Sequence, residues 1–142
     1  MTLPEQVAAL RRTINRFMTR RVGGRTRRPF QHLLALKVIA RGEVRTQAAL
    51  AERLLVDAPA ASRMVDRLQE DGLVRRCAGD NRRCVRLEVT EAAQPEVALL
   101  EEETRRLDAE AGQYLTEEEM RELKRLLEKV QAGLLQLHAS EE

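Results

Sequence analysis

Apolar and polar residues alternate with a helical period along the first half of the chain. Apolar side chains recur every three to four residues over 4–21, 29–40, 46–53 and 57–71, which is the spacing of one helix face. The segment 29–40 is apolar on all sides, as expected of a helix at the centre of a core. The pattern predicts four helices.

The second half begins with a change of period from helical to alternating. Residues 73–77 and 84–89 alternate, and Gly79-Asp80-Asn81 between them has the composition of a turn, so we predict a β-hairpin. Two more helices are predicted over 91–113 and 116–138, and the last begins with a capping-box sequence, Thr-Glu-Glu-Glu.

The two short helices, 46–53 and 57–71, are separated by about four residues, which is typical of a helix-turn-helix. Their expected inner positions are Ala48, Ala49, Leu50 and Leu54 in the first, and Ala61, Met64, Val65 and Leu68 in the second. We therefore predict a mainly α (α+β) fold, a winged helix-turn-helix with N- and C-terminal dimerisation helices. The predicted parts are a dimerisation helix and basic loop (1–28), the winged helix-turn-helix (29–90) and C-terminal dimerisation helices (91–142).

Charge divides the chain unequally, although its net charge is only +2. Residues 1–90 carry 19 Lys and Arg against 9 Asp and Glu, whereas residues 91–142 carry 6 against 14. A basic region of this kind suits a polyanionic partner. Arginine supplies 22 of the 25 cations, and its forked donors suit phosphate and guanine, although composition alone does not decide between binding and codon usage.

Composition also excludes several classes of protein. Three aromatic residues in 142 argue against stacking platforms for single-stranded nucleic acid. Two His and two Cys exclude zinc ribbons and disulfide scaffolds. We find no phosphate-binding loop, no nucleophile elbow and no zinc-protease motif, so we predict no enzyme, metal or cofactor. No apolar run approaches the ~20 residues of a membrane span, and we expect a cytoplasmic protein.

A helix-turn-helix followed by a wing is typical of proteins that read duplex DNA, with one helix in the major groove. The candidate DNA-binding residues are Arg45, Thr46, Gln47, Ala58, Pro59, Ala60, Ser62, Arg63, Arg67, Arg82 and Arg83. Arg63 is expected at a guanine or phosphate, and the small apolar residues at thymine methyl groups. Asp80 is expected to stiffen the wing tip. Arg63 and Arg67 as solvated cations, and Thr46 as a helix cap only, remain alternatives.

Two apolar stripes predict a homodimer. They comprise Val7, Leu10, Ile14 and Phe17 in the first helix, and Leu123, Leu127, Val130 and Leu134 in the last. A two-fold dimer would read a palindromic operator with half-sites ~34 Å apart. The alternative is that both stripes only close the core of a monomer.

The order of elements and several sequence segments resemble the MarR family of winged-helix transcription regulators. The segments are 47–54, QAALAERL; 61–68, ASRMVDRL, followed by 71–76, DGLVRR; 80–82, DNR; and 115–119, LTEEE, with Leu123. The resemblance implies a regulator, most often a repressor, whose dimer helices shift when a small ligand or an oxidant acts. The chain departs from the family at the start of its second motif helix, Asp57-Ala58-Pro59-Ala60-Ala61, in a shorter wing and in a basic loop at 23–28.

Two candidate sensors follow from this implication. Cys77 and Cys84 lie on opposite hairpin strands and would face each other if the loop comprised residues 78–83, with nearby arginines lowering a thiol pKa. The second candidate is a pocket near Arg16, Arg20 and His32 that would suit an anionic aromatic ligand. Ordinary packing of the cysteines and of His32 is the alternative in both cases.

The sequence therefore predicts a homodimeric regulator that binds specific duplex DNA and is released by a small ligand or an oxidant. The alternative function is a helical protein-interaction adaptor whose winged helix binds no specific DNA. Competition between specific and random duplex distinguishes the two, because only the regulator prefers one sequence.

Overall fold

The computed structural model describes residues 1–79 and 85–141. The helices are α1 (Leu3–Gly23), α2 (Phe30–Ala40), α3 (Gln47–Leu54), α4 (Ala58–Glu70), α5 (Gln94–Ala111) and α6 (Glu117–Glu141), and the strands are β1 (Val74–Ala78) and β2 (Val85–Val89). Short 3-10 turns at Glu91–Ala93 and Gly112–Tyr114 precede α5 and α6. The predicted fold, mainly helical with a winged helix-turn-helix, is confirmed.

Polar side chains define where the helices begin. Thr2 and Glu5 form a reciprocal capping box at α1, and Thr116 and Glu119 form the predicted one before α6. Asp57 caps α4 by accepting a hydrogen bond from the amide of Ala60. Each such side chain satisfies an amide that the helix itself leaves without a partner, and replacing one by alanine typically costs about 1 kcal/mol.

The core is built around α2, as its all-round apolar sequence predicts. Five of its eleven residues are buried. The leucines that are fully buried come from four different helices: Leu33, Leu36, Leu50, Leu68 and Leu100. The four predicted inner positions of α4 are all buried, which leaves the opposite side of that helix to solvent.

The prediction that Ala48 lies on the inner side of α3 is wrong. Ala48 is exposed and Ala49 is half-buried, whereas Ala51 is buried together with Leu50 and Leu54. Because α3 is only eight residues long, its packed side is narrow. Three alanines within four residues give no sequence signal of which one is buried.

The two strands pair as an antiparallel hairpin whose register differs from the prediction. Cys77 lies opposite Arg86, and Ala78 lies opposite Val85. The prediction that Cys77 faces Cys84 is therefore wrong, and Cys84 itself lies outside the described residues. One hydrogen bond also joins the hairpin to the segment before α3, because the amide of Leu87 donates to the carbonyl of Arg45 at 2.8 Å.

Ion pairs tie the loop between α1 and α2 to α5 and to the end of α4. Arg25 donates to Glu102 and Glu103 of α5, at 3.1 and 2.9 Å. Arg28 donates to Asp71, just beyond α4, at 2.7 Å, and lies 3.5 Å from Glu96. Two of the arginines that make this loop basic are therefore bound within the chain.

The chain divides into two compact units, Met1–Thr104 and Arg105–Glu142. The second unit contains α6, which has no buried residue. Within this unit Lys124 donates to Asp108 at 3.2 Å. Among the residues that the structure describes, no helix is long and apolar enough to cross a membrane.

Candidate nucleic-acid interface

The helix-turn-helix is closed by an unusual residue in its turn. Leu55 ends α3 with φ 56° and ψ 45°, the left-handed conformation. Its amide donates back to Glu52, and the amide of Val56 donates to Ala51. This tight reversal lets α4 begin at Ala58, three residues after Leu55, and sets the direction in which α4 leaves α3.

The candidate reading residues of α4 lie on its solvent side or at its edge. Ala58, Pro59, Arg63 and Arg67 are exposed, and Ala60 and Ser62 are half-buried. The opposite face is fixed in the core by Val65 and Leu68. The helix therefore presents one side outward while the packing of the other holds it in place, which is the arrangement that a groove-reading helix requires.

The first turn of α4 has apolar side chains, and the residue that caps it, Asp57, carries a negative charge. The Asp57 carboxylate accepts from Ala60 at 2.7 Å, so α4 starts where the sequence predicts rather than one residue later. Pro59 has no amide hydrogen to offer. A phosphate is therefore disfavoured at this end of α4, and the groups available there are methyl and methylene groups that suit thymine methyls.

The first turn of α3 differs in both respects. Its cap is the neutral Thr46, whose hydroxyl oxygen accepts from the amide of Ala49 at 3.1 Å. Exposed Arg45 precedes it. A neutral cap, the positive end of the helix dipole and a neighbouring guanidinium together favour a phosphate. Thr46 therefore caps the helix, as the alternative interpretation held, and capping does not occupy its hydroxyl hydrogen.

The two arginines of α4 have different surroundings. Arg67 donates to Asp71 at 3.3 Å, and Asp71 also accepts from Arg28. The hydrogen bond from Arg28 holds the pKa of Asp71 below its ordinary value. Arg63 has no ion-pair partner within residues 1–79 and 85–141. Arg63 is therefore the cation of α4 that is available to an external acceptor.

Part of the wing interface lies outside the described residues, namely Asp80, Arg82 and Arg83. The outward face of the described hairpin carries Cys77 and Glu88. The Cys77 thiol donates to the Glu88 carboxylate at 3.3 Å, and this bond raises the pKa of Cys77 above its ordinary value. For Cys77 the expectation that nearby arginines lower the thiol pKa is wrong, because the acidic neighbour dominates.

One residue of the motif that sequence analysis missed is Arg76. Its guanidinium donates to Gln47, Asp66 and Gln69. Gln47, a candidate DNA contact, thus uses its carbonyl oxygen inside the protein. The available signal was the alternation of β1, which puts Arg76 on the same side as buried Val74 and therefore requires it to find partners.

A groove of about 620 Å³ lies between α1, α2 and the helix-turn-helix. His32 lines it, but the α1 residues that do so are Arg11, Asn15 and Thr19, rather than Arg16 and Arg20. Burial lowers the pKa of His32, and the positive charges of Arg28 and Arg67 add to this. His32 is therefore predominantly neutral at pH 7.

The two predicted dimer stripes are largely exposed. The α1 stripe (Val7, Leu10, Ile14 and Phe17) is 37–56% exposed, and the α6 stripe (Leu123, Leu127, Val130 and Leu134) is 40–59% exposed. Arg21 partly covers Phe17, with its guanidinium 4.4 Å from the ring centroid. Neither stripe is used to close the core of its own unit.

Comparisons with known proteins agree with this architecture. A family model described as MarR family matches residues 26–83, which include α2, the helix-turn-helix and β1. The transcriptional regulator BldR from Sulfolobus solfataricus is 27% identical, with 92% of each chain covered and a TM-score of 0.76. Wild-type MarR from E. coli in its apo form is 25% identical over 92% of this chain and 97% of that one, with a TM-score of 0.78.

A further crystal structure described as MarR is 22% identical, covers 99% of this chain and 95% of its own, and has a TM-score of 0.82. At that identity the likeness shows the fold alone, and it extends through α1 and α6. The family match over residues 26–83, together with the fold shared along nearly the whole chain, makes this protein similar to the MarR family of winged-helix transcriptional regulators.

Proposed function

We propose that the protein is a homodimeric repressor whose two copies of α4 read the two halves of a palindromic operator in duplex DNA. The observation that carries this proposal is the division of α4 into a buried face and an outward face. Arg63 on the outward face has no ion-pair partner among the described residues, and the small residues Ala58 and Pro59 beside it are exposed. These groups suit guanine edges and thymine methyls respectively.

The remaining candidate residues divide into phosphate contacts and wing contacts. Arg45 and Thr46 at the start of α3 are proposed to bind a phosphate, because the helix end offers amide hydrogens and no competing carboxylate. Arg82 and Arg83 are proposed to lie along the backbone or in the minor groove, with Asp80 stiffening the tip. Arg67 contributes less, since Asp71 already holds it.

Dimerisation is proposed to bury the apolar stripes of α1 and α6. Eight apolar side chains with more than a third of their surface exposed, repeated at helical spacing, are unusual for a monomer. Two-fold symmetry would also double the number of base pairs read, which a single helix-turn-helix needs for useful specificity.

We favour release of the protein from DNA by a small anionic ligand over release by an oxidant acting on Cys77. The groove beside His32 is also lined by Lys37, whose pKa is lowered first by burial and then by the nearby positive charge of Arg41. An anion would compensate this unfavourable setting. Cys77 has the opposite properties to a sensor thiol, because its raised pKa keeps it protonated.

The test uses the full-length chain and a duplex selected by that chain from a random pool. We expect mobility-shift competition to show at least about a 1,000-fold preference for the selected duplex over a scrambled one. Sedimentation should give dimers at micromolar concentration. Equal binding of both duplexes would instead support the adaptor alternative, and monomers would refute the proposed two-fold reading. The protein is expected to act in the cytoplasm.

A further inference from the structure

Arg76 lies at a position where an unpartnered cation would be costly. It is on the same side of β1 as buried Val74, and its cross-strand neighbour is the buried Leu87. Its side chain is only 27% exposed. A guanidinium remains charged, so this position is costly unless protein groups replace the water that it has lost.

Its partners belong to both helices of the motif. One terminal nitrogen donates to Asp66 at 2.7 Å and to Gln47 at 3.1 Å, and the other donates to Gln69. Gln47 is the first residue of α3, while Asp66 and Gln69 lie one turn apart on α4. A single planar group therefore joins the wing strand to the start of α3 and to the second half of α4.

We propose that Arg76 is a positioning residue that sets the direction of α4 against α3 and the wing, and thereby controls sequence specificity without contacting DNA. This rests on the proposed function, in which α4 reads bases. Base contacts require the reading side chains to be placed within about 0.5 Å, whereas phosphate contacts by long flexible cations tolerate larger shifts. Loss of the contacts that Arg76 makes with α3 and α4 should therefore weaken sequence-specific DNA binding and leave non-specific binding unchanged.

The competing explanation is that Arg76 is one more phosphate-binding cation. Arg76→Lys separates the two, because lysine keeps the charge but cannot form the planar fork. We expect affinity for the selected duplex to fall about 10- to 100-fold, the cost of one misplaced base contact. Affinity for scrambled duplex should stay within about twofold, and the salt dependence of binding should not change.

Asp66→Asn gives a second test in which the two explanations predict opposite signs. Removing a negative charge from α4 should strengthen binding to any DNA if only long-range charge matters. If Asp66 holds Arg76 in place, affinity for the selected duplex should fall about 5- to 50-fold while binding to scrambled duplex is unchanged or stronger. Glu70→Gln is the matched control, since Glu70 is an exposed carboxylate of α4 with no ion-pair partner among the described residues.

The inference is overturned if Arg76→Lys binds the selected duplex as tightly as the wild type, as expected if any cation at this position serves a phosphate contact, or if both duplexes lose affinity in parallel. It is also overturned if Asp66→Asn behaves like Glu70→Gln. Thermal unfolding of each variant identifies a general loss of fold, and Asp66→Asn still decides the question if Arg76→Lys is unfolded. Failure of the wild-type chain to select any duplex would refute the proposed function itself, a result distinguishable from these.

Discussion

Glu103→Gln and Glu102→Gln form a matched pair of substitutions. Together they measure how strongly burial increases the contribution of an ion pair to the free energy of unfolding. Both carboxylates accept from the same nitrogen of Arg25, at 3.1 Å for Glu102 and 2.9 Å for Glu103. Glu102 is 51% exposed, whereas the Glu103 side chain has no exposure and also lies 3.4 Å from Arg21. The substitutions therefore change the same chemistry in two environments.

The expected magnitudes differ by several-fold. Breaking a buried ion pair by removing one partner typically costs about 3–5 kcal/mol. Arg25 is partly solvated, so water replaces part of the loss, and we expect about 2–4 kcal/mol for Glu103→Gln. An exposed pair contributes about 1 kcal/mol or less. With a urea dependence of about 2 kcal/mol per molar, the middle of the usual range, the unfolding midpoint should fall by about 1–2 M for Glu103→Gln and by less than about 0.5 M for Glu102→Gln.

The assay is equilibrium unfolding in urea, followed by far-UV circular dichroism at one fixed protein concentration, because dimerisation would make the midpoint concentration-dependent. Equal midpoint shifts in the two variants would refute the argument. A more stable Glu103→Gln protein would refute it more strongly, since the carboxylate would then cost more to bury than its arginine partners return.

Four further predictions concern DNA binding, assembly and pH. Arg63→Ala should weaken binding to the selected duplex about 10- to 100-fold in a mobility-shift assay, and a loss below threefold would exclude a base contact. Arg82→Ala should weaken operator binding and reduce the salt slope by roughly one, and an unchanged affinity at every salt concentration would remove the wing from the interface. Ile14→Glu should give monomers by sedimentation velocity and abolish the preference for the selected duplex, whereas a dimer that still binds would show that the α1 stripe lies outside the interface. Because burial and nearby cations lower the pKa of His32 below its ordinary value of 6.5, the unfolded chain takes up that proton more readily, and stability should fall as pH drops below about 6.5. His32→Gln should flatten this dependence in unfolding curves recorded between about pH 7.5 and 5, and curves that match the wild type would contradict the assignment.

The sequence predicted the elements well because the hydrophobic period changes where the structure changes. The apolar run of α2, the inner face of α4 and the caps at Asp57 and Thr116 are local signals, and the structure confirms them. The match of residues 26–83 to a family of DNA-binding regulators also bears out the prediction that the chain is not an enzyme. The local sequence pattern was sufficient to predict a residue's structure wherever that structure depended on residues nearby in the sequence.

Features that depend on distant pairing could not be predicted in this way. The hairpin register was misjudged, since turn composition alone allows loops of more than one length, and Cys77 consequently meets Arg86 and Glu88. Arg28 and Asp71 are 43 positions apart in the chain. Alternation along β1 points Arg76 inward, but its partners Gln47, Asp66 and Gln69 lie on other elements. An excess of arginine in a sequence therefore does not show which arginines remain available to a ligand.

The conformation of the leucine in the turn between α3 and α4 determines which substitutions that turn tolerates. Leu55 is 70% exposed and has a φ of 56°. Its side chain therefore makes few packing contacts, and its backbone adopts a conformation that is unfavourable for leucine. Glycine or asparagine can occupy that conformation more easily, while a β-branched residue would strain it further. Substitution of Leu55 by one of these two residues is therefore expected to relieve the backbone while removing few contacts.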